Sequence, residues 1–140
     1  MKTAIAALAL LVAASLPNAA SAQSTVTSAH GDRLLEAYTA YIGPQDLVNS
    51  SGQRLTQPWQ IIRQDRANYH RFKLRDEWDE NDSYFASADN RAAMEDMIRR
   101  GSITREAASD IVDGGALVHV EIYGQGNTGY SVQITTLGRK

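Results

Sequence analysis

The stretch Val118-His119-Val120-Glu121-Ile122-Tyr123, followed after the segment Gly124–Gly129 by Tyr130-Ser131-Val132-Gln133-Ile134-Thr135, decides the fold. Apolar and polar residues alternate in both runs, which is the period-2 pattern of a half-buried β-strand. If Val120 pairs with Ile134, every aliphatic side chain of the two runs lies on one face of a hairpin, and the polar side chains lie on the other. A slip of one residue would mix the two sets, so this register is predicted.

A lone hairpin is marginally stable in water and needs a further strand or helix to cover it. The segment Tyr38-Thr39-Ala40-Tyr41-Ile42 has the composition of a strand and ends at Gly43-Pro44. Its apolar residues also fit one face of a helix. The hairpin's need for a partner favours a strand near 38–42.

Three helices are expected between this strand and the hairpin, each introduced by a residue that can cap its first turn. Thr56 precedes the first helix and has Pro58 behind it, Ser87 precedes the second, and Thr104 precedes the third. The predicted helices cover about 57–72, 88–100 and 105–113. The predicted fold class is therefore α+β, with a small antiparallel sheet packed against three helices.

The first 22 residues have the pattern of a cleavable export signal. Lys2 precedes an apolar run over residues 4–16, Pro17 interrupts that run, and small residues lead to Ala22. The run is too short to span a bilayer, which takes about 20 apolar residues. We expect cleavage before Gln23, a single small globular domain over 23–140 with no membrane span, and a periplasmic or secreted location.

The composition narrows the classes of function. The 14 basic residues nearly balance the 16 acidic ones, so binding to nucleic acid is not expected. The chain has no cysteine, which excludes disulfides and cysteine nucleophiles and leaves histidine, carboxylates and carbonyls as the only metal ligands. No cofactor-binding motif occurs, and no cofactor is expected.

Asp65 is the polar residue that most needs an explanation. At about 100° per residue it falls between Tyr69 and Phe72, on the apolar side of the first helix. A buried carboxylate without a donor is very costly, so something must bind its oxygens. Arg66 projects about 100° away around the helix. The expected donors are therefore Arg54, Arg91 or backbone N–H groups of the 49–52 turn.

The same segment offers weak candidates for catalysis. A carboxylate at Asp65, an imidazole at His70 and a guanidinium at Arg66 are the groups that acid–base chemistry uses. Helical geometry, however, places His70 about 140° from Asp65. A structural role for Asp65 is therefore favoured over a catalytic one, since ion-pair networks also use such residues.

An acidic run over residues 76–82 follows a basic run over residues 63–75 and balances its charge. Asp79, Asn81 and Ser83 occupy every second position, as ligands do in calcium loops, and Asp82 lies among them. The loop lacks the glycine at its sixth position and has Asn90 at its twelfth, where a bidentate glutamate belongs. Asp79, Asn81 and Asp82 are therefore only weak metal candidates, and a metal site is not expected.

The stretch that runs from Asp46-Leu47 through Asn49-Ser50-Ser51-Gly52 and Arg63 to Phe72 resembles small exported bacterial proteins of unassigned function. The resemblance covers residues 46–72, and it implies no activity and no site. The sequence predicts an exported, non-catalytic binding or interaction protein whose partner, a protein or a small molecule, it does not identify. The alternative hypotheses are a small exported hydrolase that uses Asp65 or His70 with helix arginines, and a calcium-binding module built on the acidic loop.

Overall fold

A computed structural model describes residues 31–140 of the chain. The predicted signal peptide, residues 1–22, lies outside the described residues. The helices and strands are β1 (Arg33–Tyr41), α1 (Pro58–Ala67), α2 (Ala88–Ala92), α3 (Met94–Arg100), β2 (Ser102–Ile103), α4 (Arg105–Asp113), β3 (Ala116–Gln125) and β4 (Thr128–Arg139). A π-helical turn, Asn68–Phe72, continues α1, and short 3-10 turns cover Pro44–Leu47 and Tyr84–Ala86. The predicted α+β class is confirmed.

The strands form one sheet in the order β1-β3-β4-β2. Val120 pairs with Ile134 across β3 and β4, as the alternation predicts. The strand expected near 38–42 is β1, which begins earlier, at Arg33, and pairs antiparallel with β3. The hairpin connection is tighter than the expected loop, because β3 and β4 leave only Gly126 and Asn127 between them. The short β2 pairs parallel with β4, so the sheet is mixed rather than purely antiparallel.

The helix boundaries differ from the prediction at two points. The N-cap of α1 is Gln57 rather than Thr56, because a residue before proline takes an extended conformation and Pro58 begins the helix. The second predicted helix is divided at Ala93 into α2 and α3, since the Ala93 backbone makes a tight turn there. Thr104 caps α4 as predicted, with its hydroxyl accepting a hydrogen bond from the Ala107 N–H at 3.2 Å.

The core lies on one side of the sheet, where α3 and α4 pack on the strands and α1 packs against both helices. Its buried side chains include Tyr38, Ala40, Ile61, Ile62, Met94, Met97, Ile111, Val118, Val120, Ile122, Val132 and Ile134. The opposite face of the sheet carries half-buried polar side chains, among them Thr39, His119, Glu121 and Gln133. Over the described residues, no helix combines the length and the apolar character needed to cross a membrane.

Candidate functional site

The most densely charged part of the interior surrounds the guanidinium of Arg66, which is fully buried. It lies between two aromatic rings, 4.4 Å from the centroid of Tyr38 and 4.6 Å from that of Tyr69. Its Nε donates to Asp65 Oδ2 at 2.7 Å, and its Nη1 donates to Asp82 Oδ2 at 3.0 Å. We call Asp65, Arg66, His70 and Asp82 the Arg66 cluster.

The predicted burial of Asp65 is confirmed, since the residue is 2 % exposed. The prediction of its donor was wrong. The donor is Arg66, the next residue along the helix. The long side chain of an arginine can fold back beside its own backbone, so the angle between two Cβ positions does not decide the contact. Arg54 and Arg91 instead donate to backbone carbonyls, those of Val112 and Phe85 respectively.

His70 joins the cluster through Asp82, which lies in the loop that follows the helix. Its Nε2 lies 2.8 Å from Asp82 Oδ2, the oxygen that also accepts from Arg66. His70 and Asp65 make no direct contact, as their angular separation predicts, but Asp82 connects them through Arg66. Local spacing does not predict this connection, because Asp82 is 16 residues from Arg66 along the chain.

Burial dominates the electrostatics of the cluster. It raises the pKa of the Asp65 carboxyl above its ordinary value, and the adjacent Arg66 guanidinium holds part of that increase back. Burial also raises the pKa of the Tyr38 hydroxyl well above its ordinary value, so Tyr38 stays neutral. For Arg66, burial lowers the pKa but the Asp65 carboxylate and its other partners raise it more, so the guanidinium stays charged.

The cluster is arranged for structure more than for chemistry. Both carboxylates of the cluster accept hydrogen bonds from protein donors. Asp65 accepts from Arg66, and Asp82 accepts from Arg66 and also from the Phe85 N–H at 2.6 Å. Two buried polar atoms, the Tyr38 hydroxyl and Arg66 Nη2, have no hydrogen-bond partner among the described residues. Four clefts on the described part of the chain are lined by other side chains, so the reactive groups of the cluster face none of them.

The carboxylates of the acidic loop, which supplied the weak metal candidates, accept hydrogen bonds from other groups of the protein. Asp79 accepts hydrogen bonds from the Tyr41 N–H at 2.9 Å and from the Asp76 N–H at 2.8 Å. Asp82 belongs to the Arg66 cluster, and Asn81 is exposed. Within residues 31–140, no three metal-ligating side chains of histidine or carboxylate type converge on one point.

The same loop covers the free edge of β1, which is an outer strand of the sheet. Glu80 accepts from the Thr39 N–H at 2.7 Å, and the Glu80 N–H donates to the Thr39 carbonyl at 2.9 Å. Glu36, on the strand, accepts in turn from the Ser83 N–H at 2.8 Å. Exposed strand edges template association with other chains, so the acidic loop protects this one.

A second buried carboxyl, Asp46, lies beside the cluster. It accepts from the Gly43 N–H at 2.9 Å and from the Asn68 side-chain amide at 2.8 Å. Burial raises the pKa of Asp46 from 3.8 to about 6, and these two hydrogen bonds hold it from rising further. Because the folded protein binds the Asp46 proton more tightly than the unfolded chain does, protonated Asp46 contributes to the stability of the fold. That contribution is complete below pH 3.8 and is lost as the pH rises through about 6.

The largest of the four clefts lies on the sheet face opposite the helices, at the β4–β2 edge. It has a volume of about 680 Å³. Its lining combines both signs of charge, amides, hydroxyls and one aromatic ring: Asp32, Arg100, Gly101, Ser102, Gln125, Tyr130, Ser131 and Gln133. We call it the β4-edge cleft.

Two local features build this cleft. A Cβ at position 101 would lie 1.9 Å from the Val132 carbonyl oxygen, so only Gly101 lets the end of α3 approach β4 and place Arg100 there. Tyr130 is the extra residue of a β-bulge, since Tyr123 pairs with Ser131 but Gly124 pairs with Gly129. Bulges redirect a side chain, and this one places an exposed Tyr130 ring in the cleft.

The β4-edge cleft could not be predicted from the sequence, because its residues come from five separate segments of the chain and form no motif. The one local indication of the cleft in the sequence is an aromatic residue, Tyr130, directly after Gly129 at the start of the alternating run. No family model, no curated protein and no solved structure matches the chain. The function is therefore inferred from the geometry of the cluster and the cleft.

Proposed function

We propose that this chain is an exported, non-catalytic binding protein that takes a small-molecule ligand in the β4-edge cleft. The observation that carries the proposal is the cleft itself. Its volume of about 680 Å³ falls within the range of about 300–1,000 Å³ typical of small-molecule sites. Its lining offers donors, acceptors and an aromatic surface, which are the groups that orient a ligand. The export signal pattern over residues 1–22 supports a periplasmic or secreted location.

The hydrolase hypothesis has less support. A general base needs to reach a substrate proton, and His70 instead points its Nε2 at Asp82, 2.8 Å away. Asp65 is bound to Arg66 and almost fully buried. Neither residue lines the β4-edge cleft, where a substrate has room to bind.

The proposal is tested by thermal unfolding of residues 23–140 in the presence of a panel of sugars, amino acids, nucleosides and organic acids. We expect at least one compound to raise the Tm of the wild-type protein, because a ligand that binds only the folded state stabilises it. Tyr130→Ala and Arg100→Ala should lose that increase.

Arg99→Ala is the matched control. Arg99 precedes Arg100 on α3, is exposed and pairs with Asp96, so its removal should leave the ligand-induced Tm increase intact. A panel without any stabilising compound would overturn the proposal. So would a compound whose effect survives Tyr130→Ala and Arg100→Ala but is lost in variants of the Arg66 cluster.

A further inference from the structure

We infer that the ligand of the β4-edge cleft is a neutral saccharide, an inference that rests on the proposed binding function. The first support is charge. Asp32 and Arg100 are the charged side chains of the described lining, and their charges cancel. A cleft of zero net charge does not concentrate anions or cations, so phosphorylated sugars, nucleotides and polyamines are disfavoured as ligands.

The second support is Tyr130. It is 39 % exposed, lines the cleft and is the only aromatic residue of the described lining. It lies at the β-bulge of β4. A pyranose ring has one face made mainly of C–H groups, and such a face packs against the surface of an aromatic ring. Tyrosine suits this role, since its ring is apolar and its hydroxyl can still reach water or a ligand hydroxyl.

The third support is the set of polar groups around Tyr130. Gln125 and Gln133 each present donors and an acceptor, and the hydroxyls of Ser102 and Ser131 can do either. Sugar hydroxyls are also both donors and acceptors, so a lining of this kind can satisfy several at once. A ligand with only donors or only acceptors would use only part of the hydrogen-bonding capacity of these side chains.

The charged residues are still free to take part. Asp32 is 7 % exposed, and the one hydrogen bond that its side chain makes to another residue of 31–140 is accepted by Oδ1 from Gln125 Nε2 at 3.1 Å. Its Oδ2 can therefore accept from a sugar hydroxyl. Arg100 makes no ion pair or side-chain hydrogen bond with another residue of 31–140, so its five N–H groups can donate to ring or hydroxyl oxygens. Asp32 and Arg100 do not pair with each other, which leaves both available.

The competing ligand class is a zwitterion such as a short peptide, whose carboxylate and ammonium groups would bind Arg100 and Asp32. Such a ligand uses the charges and has no need for the Tyr130 ring or the amides. The two classes therefore differ in which substitutions they tolerate. Tyr130→Phe keeps a stacking surface and Tyr130→Ala removes it.

The test is isothermal titration of residues 23–140 with maltotriose, cellotriose, triacetylchitotriose and glycylglycine. We expect at least one trisaccharide to bind with a Kd no weaker than about 1 mM, with Tyr130→Phe within about twofold and Tyr130→Ala about tenfold weaker. Arg99→Ala, which changes a neighbouring exposed arginine, should bind as the wild type does.

Two results would overturn the saccharide inference. One is binding of glycylglycine, abolished by Arg100→Gln, with none of the three sugars bound at about 10 mM. The other is a cleft ligand of different chemistry from the thermal panel with no response to the sugars. In both cases the proposed binding function is retained and only the ligand class is wrong. If no compound of the panel raises the Tm and no titration shows heat of binding, both proposals are overturned.

Discussion

Replacement of Arg66 by methionine tests whether the Arg66 cluster holds the fold together. Methionine is long, apolar and flexible enough to fill the space between the rings of Tyr38 and Tyr69, so Arg66→Met keeps most of the packing. It removes the charge that compensates Asp65 and Asp82. Their side chains are 2 % and 0 % exposed, so water cannot take the place of the guanidinium.

The expected cost follows from those exposures. Breaking a buried ion pair by removing one partner costs about 3–5 kcal/mol, mostly because the other charge is left without compensation. For a domain of this size that corresponds to a fall in Tm of about 12–20 °C, at about 4 °C per kcal/mol. The deficit should shrink at acidic pH, because the uncompensated carboxyls then bind protons and become neutral.

The assay is urea unfolding of residues 23–140, followed by tryptophan fluorescence at pH 7 and pH 4. Arg63→Met, an exposed change on the same helix, should stay within about 1 kcal/mol of the wild type. Adding Asp65→Asn and Asp82→Asn to Arg66→Met should recover a large part of the loss, since two of the three buried carboxylates that pair with Arg66, all but Asp79, then carry no charge. An Arg66→Met protein that unfolds within about 1 kcal/mol of the wild type at pH 7 would refute the reasoning.

Further predictions concern other carboxylates and the N-terminus. Asp65→Ala should lower the free energy of unfolding by about 3–5 kcal/mol and Asp65→Asn by clearly less, since the amide keeps one acceptor; equal losses in urea titrations would contradict this. Because the pKa of Asp46 is raised from 3.8 to about 6, the stability of Asp46→Asn relative to wild type should rise by about 2.4 kcal/mol between pH 4 and pH 7; a constant difference would argue against a raised pKa. Glu80→Ala leaves the Thr39 N–H at the β1 edge without its acceptor and should increase concentration-dependent association in size-exclusion chromatography, while Glu77→Ala, an exposed change in the same loop, should not. Mass spectrometry of the exported protein should find that it begins at Gln23, and retention of residues 1–22 would end the export proposal.

The sheet could be predicted from sequence because its information is local. The alternation around Val120 and Ile134 allows one register that separates apolar from polar side chains, and the structure has that register. The need of a hairpin for a partner then selected a strand over a helix for the segment that became β1. The cap at Thr104 was equally local, since a cap depends only on a side chain and the next few N–H groups.

The contacts of Asp65 could be predicted only in part. Burial followed from helical periodicity, but the donor did not, because a long side chain such as that of Arg66 reaches atoms that its Cβ direction does not indicate. The role of Asp82 depended on how the acidic loop folds back over β1. That path is set by backbone hydrogen bonds at the strand edge, such as the one between Glu80 and Thr39, and has no sequence period.

The β4-edge cleft was beyond sequence reasoning for a different reason. A binding surface gathers side chains from distant segments, here Asp32 before β1, Arg100 at the end of α3 and Tyr130 in β4. A bulge and a close glycine contact bring them together. Both features follow from the completed sheet rather than from any local run of residues.

The most direct test of the binding account is amide chemical-shift mapping of isotope-labelled residues 23–140 with the compound that most raises the Tm. The account predicts that the backbone amides of Ser102, Gln125, Tyr130 and Gln133 shift progressively and saturate together, since all four residues line one cleft. Amides of Asp65 and His70 should not move. Shifts concentrated at Asp65 and His70, with the cleft amides unchanged, would contradict the account and favour a site at the Arg66 cluster.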